Sequence, residues 1–156
     1  SSAEACQETV REFLPDADLV KLSDEECFFV TGKHSILDAA DWLFEQGCKM
    51  VLYSMGKEGA MILTPHFSSH VENPEVRVKD TTGAGDAIIG AYLYCLAKNH
   101  ITVSQLATCS PEQVQEWLTF AVYYANYSIT KSGAIASYPD YTTFVKWMQE
   151  KRKKAH

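Results

Sequence analysis

The chain has 156 residues, and no apolar run in it approaches the roughly 18–20 residues of a membrane-spanning helix. It shows no N-terminal apolar segment of the export type, so the expectation is a cytoplasmic protein with no membrane partner. The five cysteines, Cys6, Cys27, Cys48, Cys95 and Cys109, are odd in number, widely spaced and without a Cys-x-x-Cys pair. That excludes a disulfide framework and a zinc-ligand spacing, and leaves reduced, structural thiols. Positive charge is in short supply: 14 Lys and Arg face 20 Asp and Glu, for a net charge of −6. A nucleic-acid binder that works by neutralising phosphates needs the opposite balance. Much of the basic charge crowds the end of the chain, at Lys151, Arg152, Lys153 and Lys154, where a solvated helix end is expected. There is no repeat, no low-complexity segment and no Pro/Gly-rich linker, so one domain is assigned. Neither Gly-x-Gly-x-x-Gly nor Gly-x-x-x-x-Gly-Lys occurs, which removes the common dinucleotide and P-loop fingerprints.

What remains is a globular composition, 46% hydrophobic and 22% charged. A chain of this size buries roughly two-thirds of its unfolded surface. Residues 3–13 read as a helix that stops before Pro15. Asp18 to Leu22 suits a buried strand, and Ser23-Asp24-Glu25-Glu26 then opens a helix ending at Thr31-Gly32. Ile36, Ala39, Ala40, Leu43 and Phe44 recur at helical spacing up to Gln46, with Gly47 as the stop. Met50–Ser54 and Gly59–Leu63 are strand candidates close enough to pair, and Val76-Arg77-Val78 alternates as a fourth. Ala84 to Lys98 is apolar on nearly all sides, which predicts a helix buried in the middle of the domain. Ser110-Pro111-Glu112-Gln113 combines an N-cap, a proline at the first helical position and a capping-box Gln, starting a helix to about Thr130. Asp140 caps a last helix from Tyr141 to about Lys153. Buried strands alternating with helices predict an α/β domain with a mainly parallel sheet.

The chemistry concentrates in Lys79-Asp80-Thr81-Thr82-Gly83-Ala84-Gly85-Asp86-Ala87, between a strand candidate and the most apolar helix. Gly83 and Gly85 allow a tight turn and close approach of a ligand. The first amides of a helix have no partner inside it and can bind an anion. Asp86 stands at the same helix start, where the dipole favours its ionised form. An ionised carboxylate beside an anion hole is what phosphoryl transfer to a hydroxyl requires: one accepts the proton, the other stabilises charge on the phosphate. A plain alternative is a glycine loop followed by an acid that only complements the helix dipole.

Asp80-Thr81-Thr82-Gly83-Ala84-Gly85-Asp86 resembles the signature of the ribokinase-like (PfkB) carbohydrate kinases. Three further segments match that family in order. Val20-Lys21-Leu22-Ser23-Asp24-Glu25-Glu26 resembles its Asn/Ser-x-x-Glu segment. Ser54-Met55-Gly56-Lys57-Glu58-Gly59 resembles its Thr/Ser-x-Gly-x-x-Gly turn. Ala125-Asn126 with Lys131-Ser132-Gly133-Ala134 resembles the segment beside the adenine. The resemblance spans nearly all of residues 15–145. It implies a three-layer α/β/α sandwich with a mainly parallel sheet. It further implies that Asp86 is the catalytic base and that Gly83, Ala84 and Gly85 form the anion hole. Ser54, Gly56 and Gly59 would border ATP, Lys57 would lie near its phosphates or rim, and Asn126 by the adenine. Glu26, through water and with Ser23 nearby, would help place Mg²⁺. Asp80, Thr82 and the loop around Gly133 match the region where many members bind a monovalent cation such as K⁺.

Each assignment has a plainer reading. Ser23-x-x-Glu26 is also a capping box. Ser54–Gly59 is also a hairpin turn with glycines at positive φ. Lys57 suits a solvated turn. Asn126 lies mid-helix, where Asn is disfavoured, which asks for a packing or ligand reason. Tyr123, Tyr124 and Tyr127 fit core and rim contacts, and no histidine is placed as a metal ligand or base. Within the family the first two motifs look most like fructokinases, with ribokinase, ketodeoxygluconate kinase and nucleoside kinases as alternatives. The family's Gly-Gly segment and β lid are not found before residue 15, so the chain corresponds to a C-terminal half. The partners implied are a small-molecule sugar, ATP, an N-terminal half and a second copy in a homodimer. Outside catalysis, the same residues suit a nucleotide-binding fragment without turnover. Outside the family, they suit a generic α/β domain that binds another anion.

Overall fold

A computed structural model describes residues 17–75, 84–129 and 141–155. Strand β1 (Leu19–Ser23) leads into helices α1 (Asp24–Thr31) and α2 (Ile36–Glu45). Strand β2 (Met50–Ser54) follows, then a single 3-10 turn (Gly56–Glu58), β3 (Ala60–Leu63) and β4 (Ser68–Val71). Helix α3 (Ala84–Lys98), a 3-10 segment (Val103–Thr108), α4 (Pro111–Ile129) and α5 (Tyr141–Ala155) complete the described elements. The expected helix over 3–13, the strand at Val76–Val78 and the cap at Asp140 lie outside the described residues.

Local chemistry starts and stops these elements where the sequence places its signals. At the N-terminus of α1 the Ser23 hydroxyl accepts the Glu26 N–H at 3.2 Å. The Glu26 carboxylate in turn accepts the Ser23 N–H at 2.8 Å. Gly32 ends α1 at φ 74°, a left-handed conformation that a side chain would resist. Ser35 caps α2 through the Leu37 N–H. Ser110 and Gln113 form the reciprocal cap at the start of α4.

The sheet order is β1-β2-β3-β4. β1 and β2 are parallel, with Ser23 opposite Ser54. β2–β3 and β3–β4 are antiparallel, so the described sheet is mixed, with its parallel pair at the β1 end. α1 and α2 form the crossover that parallel strands require. Helices cover both faces. Val20, Leu22, Val51 and Leu63 pack with Val30, Ala40 and Leu43 on one side. Met50, Leu52, Ala60 and Ile62 pack with Ile88, Tyr92, Val114, Leu118 and Val122 on the other. Three consecutive apolar residues, Met50, Val51 and Leu52, are fully buried, as suits a strand covered on both faces.

One expectation needs correction, and one strand is additional to those expected. Helix α3 is not buried on nearly all sides. Ile88, Ala91, Tyr92, Cys95 and Leu96 face the core, but Leu93 and Tyr94 are each 48% exposed. Apolar composition reports how much could be buried; only the neighbours decide which face is, and Tyr94 turns outward to stack on Phe120 of α4. The strand after β3 is Ser68–Val71, a polar stretch with no strand pattern of its own. Its pairing with β3 and the burial of Val71 hold it in place.

Candidate active site

The carboxyl ends of β1 and β2 lie side by side, and helix α3 starts against them. In open α/β sheets, this end of the parallel strands is where ligands bind. A β-carbon placed on Gly85, the second residue of α3, would lie 3.2 Å from Lys21 Nζ and 3.6 Å from Ser54 Oγ. Glycine is what lets the helix start come this close to the strand ends. Ser54 is buried, and its hydroxyl donates to the Leu22 carbonyl at 3.5 Å. Asp86, in the first turn of α3, is exposed. Gly83, Asp80 and Thr82 lie outside the described residues, as do Lys131 to Ala134. Ala84 is described only as the first residue of α3.

Glu26 faces this region from the start of α1. Its carboxylate is 3.6 Å from Lys21 Nζ and accepts the Ser23 N–H. Partial burial alone would push its carboxyl up. The Ser23 backbone N–H, the Lys21 ammonium and the Ser23 hydroxyl together outweigh that and hold it below the usual carboxylate value. The capping reading of Ser23-x-x-Glu26 is realised, and the geometry leaves the Glu26 carboxylate beside Lys21. Nearby, the Tyr53 hydroxyl donates to the Asp24 carboxylate, tying β2 to the same helix start. Burial, that hydrogen bond and the negative charge of Asp24 push the Tyr53 hydroxyl well above its usual range.

Lys21 was not among the residues singled out by sequence. It shares with Leu19 the α3 side of β1, while Val20 and Leu22 pack on the other. A lone cation within an apolar strand, alternating onto the helix-covered face, was the signal available.

The Ser54–Gly59 segment is a tight turn between β2 and β3. The Met55 N–H donates to the Gly59 carbonyl, and the Gly59 N–H to Gly56. Gly56 has φ 55° with open space before it. Gly59 has φ 96°, and a β-carbon there would lie 2.0 Å from the Val71 carbonyl. The hairpin reading of the turn is realised, and the turn lies at the carboxyl end of β2. Lys57 is exposed on it. Asn126 is buried in α4. Its Nδ2 donates to Val122 O at 2.8 Å and to Asn73 Oδ1 at 3.0 Å. Tyr123 and Tyr127 pack edge-on against Trp147, and Tyr124 stacks near Phe120, as core and rim residues. Burial raises the thiols of Cys27, Cys48 and Cys109, and that of Cys95 to about 11, as befits inert structural cysteines. Among the described residues no three His, Cys, Asp or Glu gather as a metal cluster, and no helix is long and apolar enough to cross a membrane.

Comparison with known proteins gives this geometry a context. The profile of the pfkB family carbohydrate kinases matches residues 1–141. Fructokinase-2 of Solanum habrochaites is 32% identical over 139 residues, covering 88% of this chain and 41% of that protein. Probable fructokinase-2 of Arabidopsis thaliana is 34% identical over the same shares of each chain. The chain thus spans under half the length of these relatives. Among solved structures, fructokinase from Vibrio cholerae O395, in a form bound to fructose, ADP and calcium ion, superposes with a TM-score of 0.77. It is 28% identical, over 93% of this chain and 45% of that one. A fructokinase from Xylella fastidiosa with bound ATP gives a TM-score of 0.81 at 24% identity, over 96% and 47% of the two chains, and supports the ribokinase-like fold. On the profile match, the ordered motifs and the shared fold, this chain belongs to the pfkB family of carbohydrate kinases.

Proposed function

We propose that residues 1–156 form the nucleotide-binding and phosphoryl-transfer part of an ATP-dependent sugar kinase, with fructose as the acceptor. The observation that carries this reading is the meeting of Gly85 with Lys21 and Ser54. It gathers the starts or ends of three separate motifs at the carboxyl ends of two parallel strands.

In this reading the amides of Gly83, Ala84 and Gly85 hold the transferring phosphoryl group, favoured by the positive end of the α3 dipole. Lys21, beside that helix start, adds a full positive charge where negative charge shifts during transfer. Asp86 accepts the proton of the attacking sugar hydroxyl. Its exposure supports access of a substrate to it. Ser54, Gly56 and Gly59 border the nucleotide, with Lys57 at its rim and Asn126 behind the turn.

Glu26 suits a divalent cation. It is partly exposed, is held ionised by its neighbours, and leaves most coordination positions to water and phosphate, as Mg²⁺ prefers. When bound, Mg²⁺ would neutralise phosphate charge. Asp80 and Thr82 remain assigned to a monovalent-cation region. The acceptor contacts are expected from the other half of the kinase fold. β1, which pairs with only β2 among the described residues, offers the edge on which such a half would continue the sheet.

The test uses the full natural polypeptide that contains residues 1–156. Fructose-dependent ADP formation, lowered by orders of magnitude in Asp86→Asn, is the expected outcome. Equal rates in the two proteins would remove Asp86 as the base. Faster turnover with ribose or a nucleoside would move the acceptor to the alternative members of the family. ATP binding with no turnover on any of these acceptors would leave a nucleotide-binding module.

A further inference from the structure

The Ser54–Gly59 turn is held from behind by Asn73 and His70, which none of the motifs includes. Asn73, just after β4, donates from Nδ2 to the Gly56 carbonyl at 2.8 Å. Its Oδ1 accepts from Asn126 Nδ2 at 3.0 Å. The second Asn126 amide hydrogen goes to the Val122 carbonyl at 2.8 Å, one turn back in α4. Both hydrogens of the Asn126 amide are therefore used inside the protein, and that side chain is buried. On the far side of the turn, His70 Nε2 meets the Glu58 carbonyl at 2.9 Å. The turn is thus fixed at Gly56 and at Glu58 by β4 and its continuation, and the Gly56 anchor is itself braced by α4. Gly56 has positive φ and no side chain to pack, so its carbonyl direction is set by the Asn73 amide together with the Gly59 N–H inside the turn.

We propose that Asn73 is the positioning residue of the nucleotide turn, and that Asn126 acts through Asn73 rather than by touching the nucleotide. This rests on the reading of Ser54–Gly59 as the border of the ATP site. It also explains why an asparagine sits mid-helix at position 126, where the residue type is disfavoured: its amide bridges a helix carbonyl and a partner on another segment.

Two readouts test the relay in the full natural polypeptide. The first needs no ligand: hydrogen exchange at the Glu58 and Gly59 amides. Asn73→Asp keeps the shape and the acceptor facing Asn126, but loses the donor to Gly56. It should speed exchange about fivefold, the usual net worth of one hydrogen bond. A residue that merely fills space would be silent to this change. The second is the ATP dependence of turnover. Asn73→Ala and Asn126→Ala should each raise the KM for ATP about fivefold and leave kcat and the acceptor KM unchanged. The double variant should be no worse than either single, because both remove one relay.

Exchange unchanged in Asn73→Asp would overturn the proposal. So would a double variant whose loss is the product of the two singles, which would give Asn126 a contact of its own. A wild-type protein that binds no ATP would overturn the proposed function, and the exchange result would then decide the relay alone.

Discussion

The Lys21 ammonium stands 3.6 Å from a Glu26 carboxylate oxygen and faces Gly85 at the start of α3. One cation thus sits between the carboxylate proposed for a divalent metal and the helix start proposed for a phosphate. The ion pair itself contributes little to folding, since the Glu26 side chain is 49% exposed and such pairs are worth at most about 1 kcal/mol.

Lys21→Met therefore separates function from stability. It keeps the length of the side chain and removes the charge. We expect kcat to fall roughly ten- to a hundredfold, the range of one charged hydrogen bond to the reacting group. The urea midpoint should shift by less than about 1 kcal/mol equivalent. A rate unchanged in Lys21→Met would remove Lys21 from the phosphate site.

Gly85→Ala tests the close approach directly. The added methyl meets Lys21 Nζ at 3.2 Å, the far end of a flexible side chain, so the fold should accept it. The thermal midpoint is expected to stay within a few degrees, while the affinity for ATP drops as Lys21 is displaced. Calorimetric titration of ATP reads the second effect. Intact affinity would mean that nothing binds between Gly85 and Lys21.

The two turn glycines should behave unequally. A methyl at Gly59 collides with the Val71 carbonyl at 2.0 Å, on a backbone at φ 96°. Gly59→Ala should cost at least about 3 kcal/mol in chemical denaturation. Gly56→Ala meets open space at φ 55° and should cost about 1 kcal/mol, the strain of a left-handed residue alone. Equal costs would contradict the packing of the turn against β4.

Glu26 makes stability depend on acidity. Its folded carboxyl lies below the ordinary value of 4.5, so its ionised form favours the native state. That contribution is complete above pH of about 4.5 and is lost as the pH falls through the folded value. Glu26→Gln keeps an acceptor for the Ser23 N–H and removes the titration. The stability gap between wild type and variant should be constant near neutrality and shrink below pH of about 4.5. A gap unchanged down to pH of about 3 would deny Glu26 its ionic partners.

Much of the fold was written in local signals. Ser23 with Glu26, Ser35, Ser110 with Gln113, and Gly32 each mark a helix end with a hydrogen bond or a backbone angle that short-range chemistry dictates. The apolar run Met50-Val51-Leu52 announced a strand covered on both faces. What escaped was set by neighbours distant in sequence. Ser68-Ser69-His70 becomes a strand because β3 offers it a ladder. Leu93 and Tyr94 stay half-exposed on α3, where Tyr94 stacks on Phe120 of α4. The site divides in the same way. Gly85, Ser54 and Glu26 sit in motifs that are visible in the sequence by their resemblance to the family. Lys21 and Asn73 gain their places only when β1 registers with β2 and when β4 runs past the turn.

The most direct test of one phosphate-binding site at the strand ends is an ATP titration of the full natural polypeptide, followed by amide chemical shifts. The account predicts that Gly85, Asp86, Ser23 and the residues from Ser54 to Gly59 shift together, along one binding curve. Shifts confined to other surfaces, or Gly85 and Ser54 responding at different ATP concentrations, would contradict it.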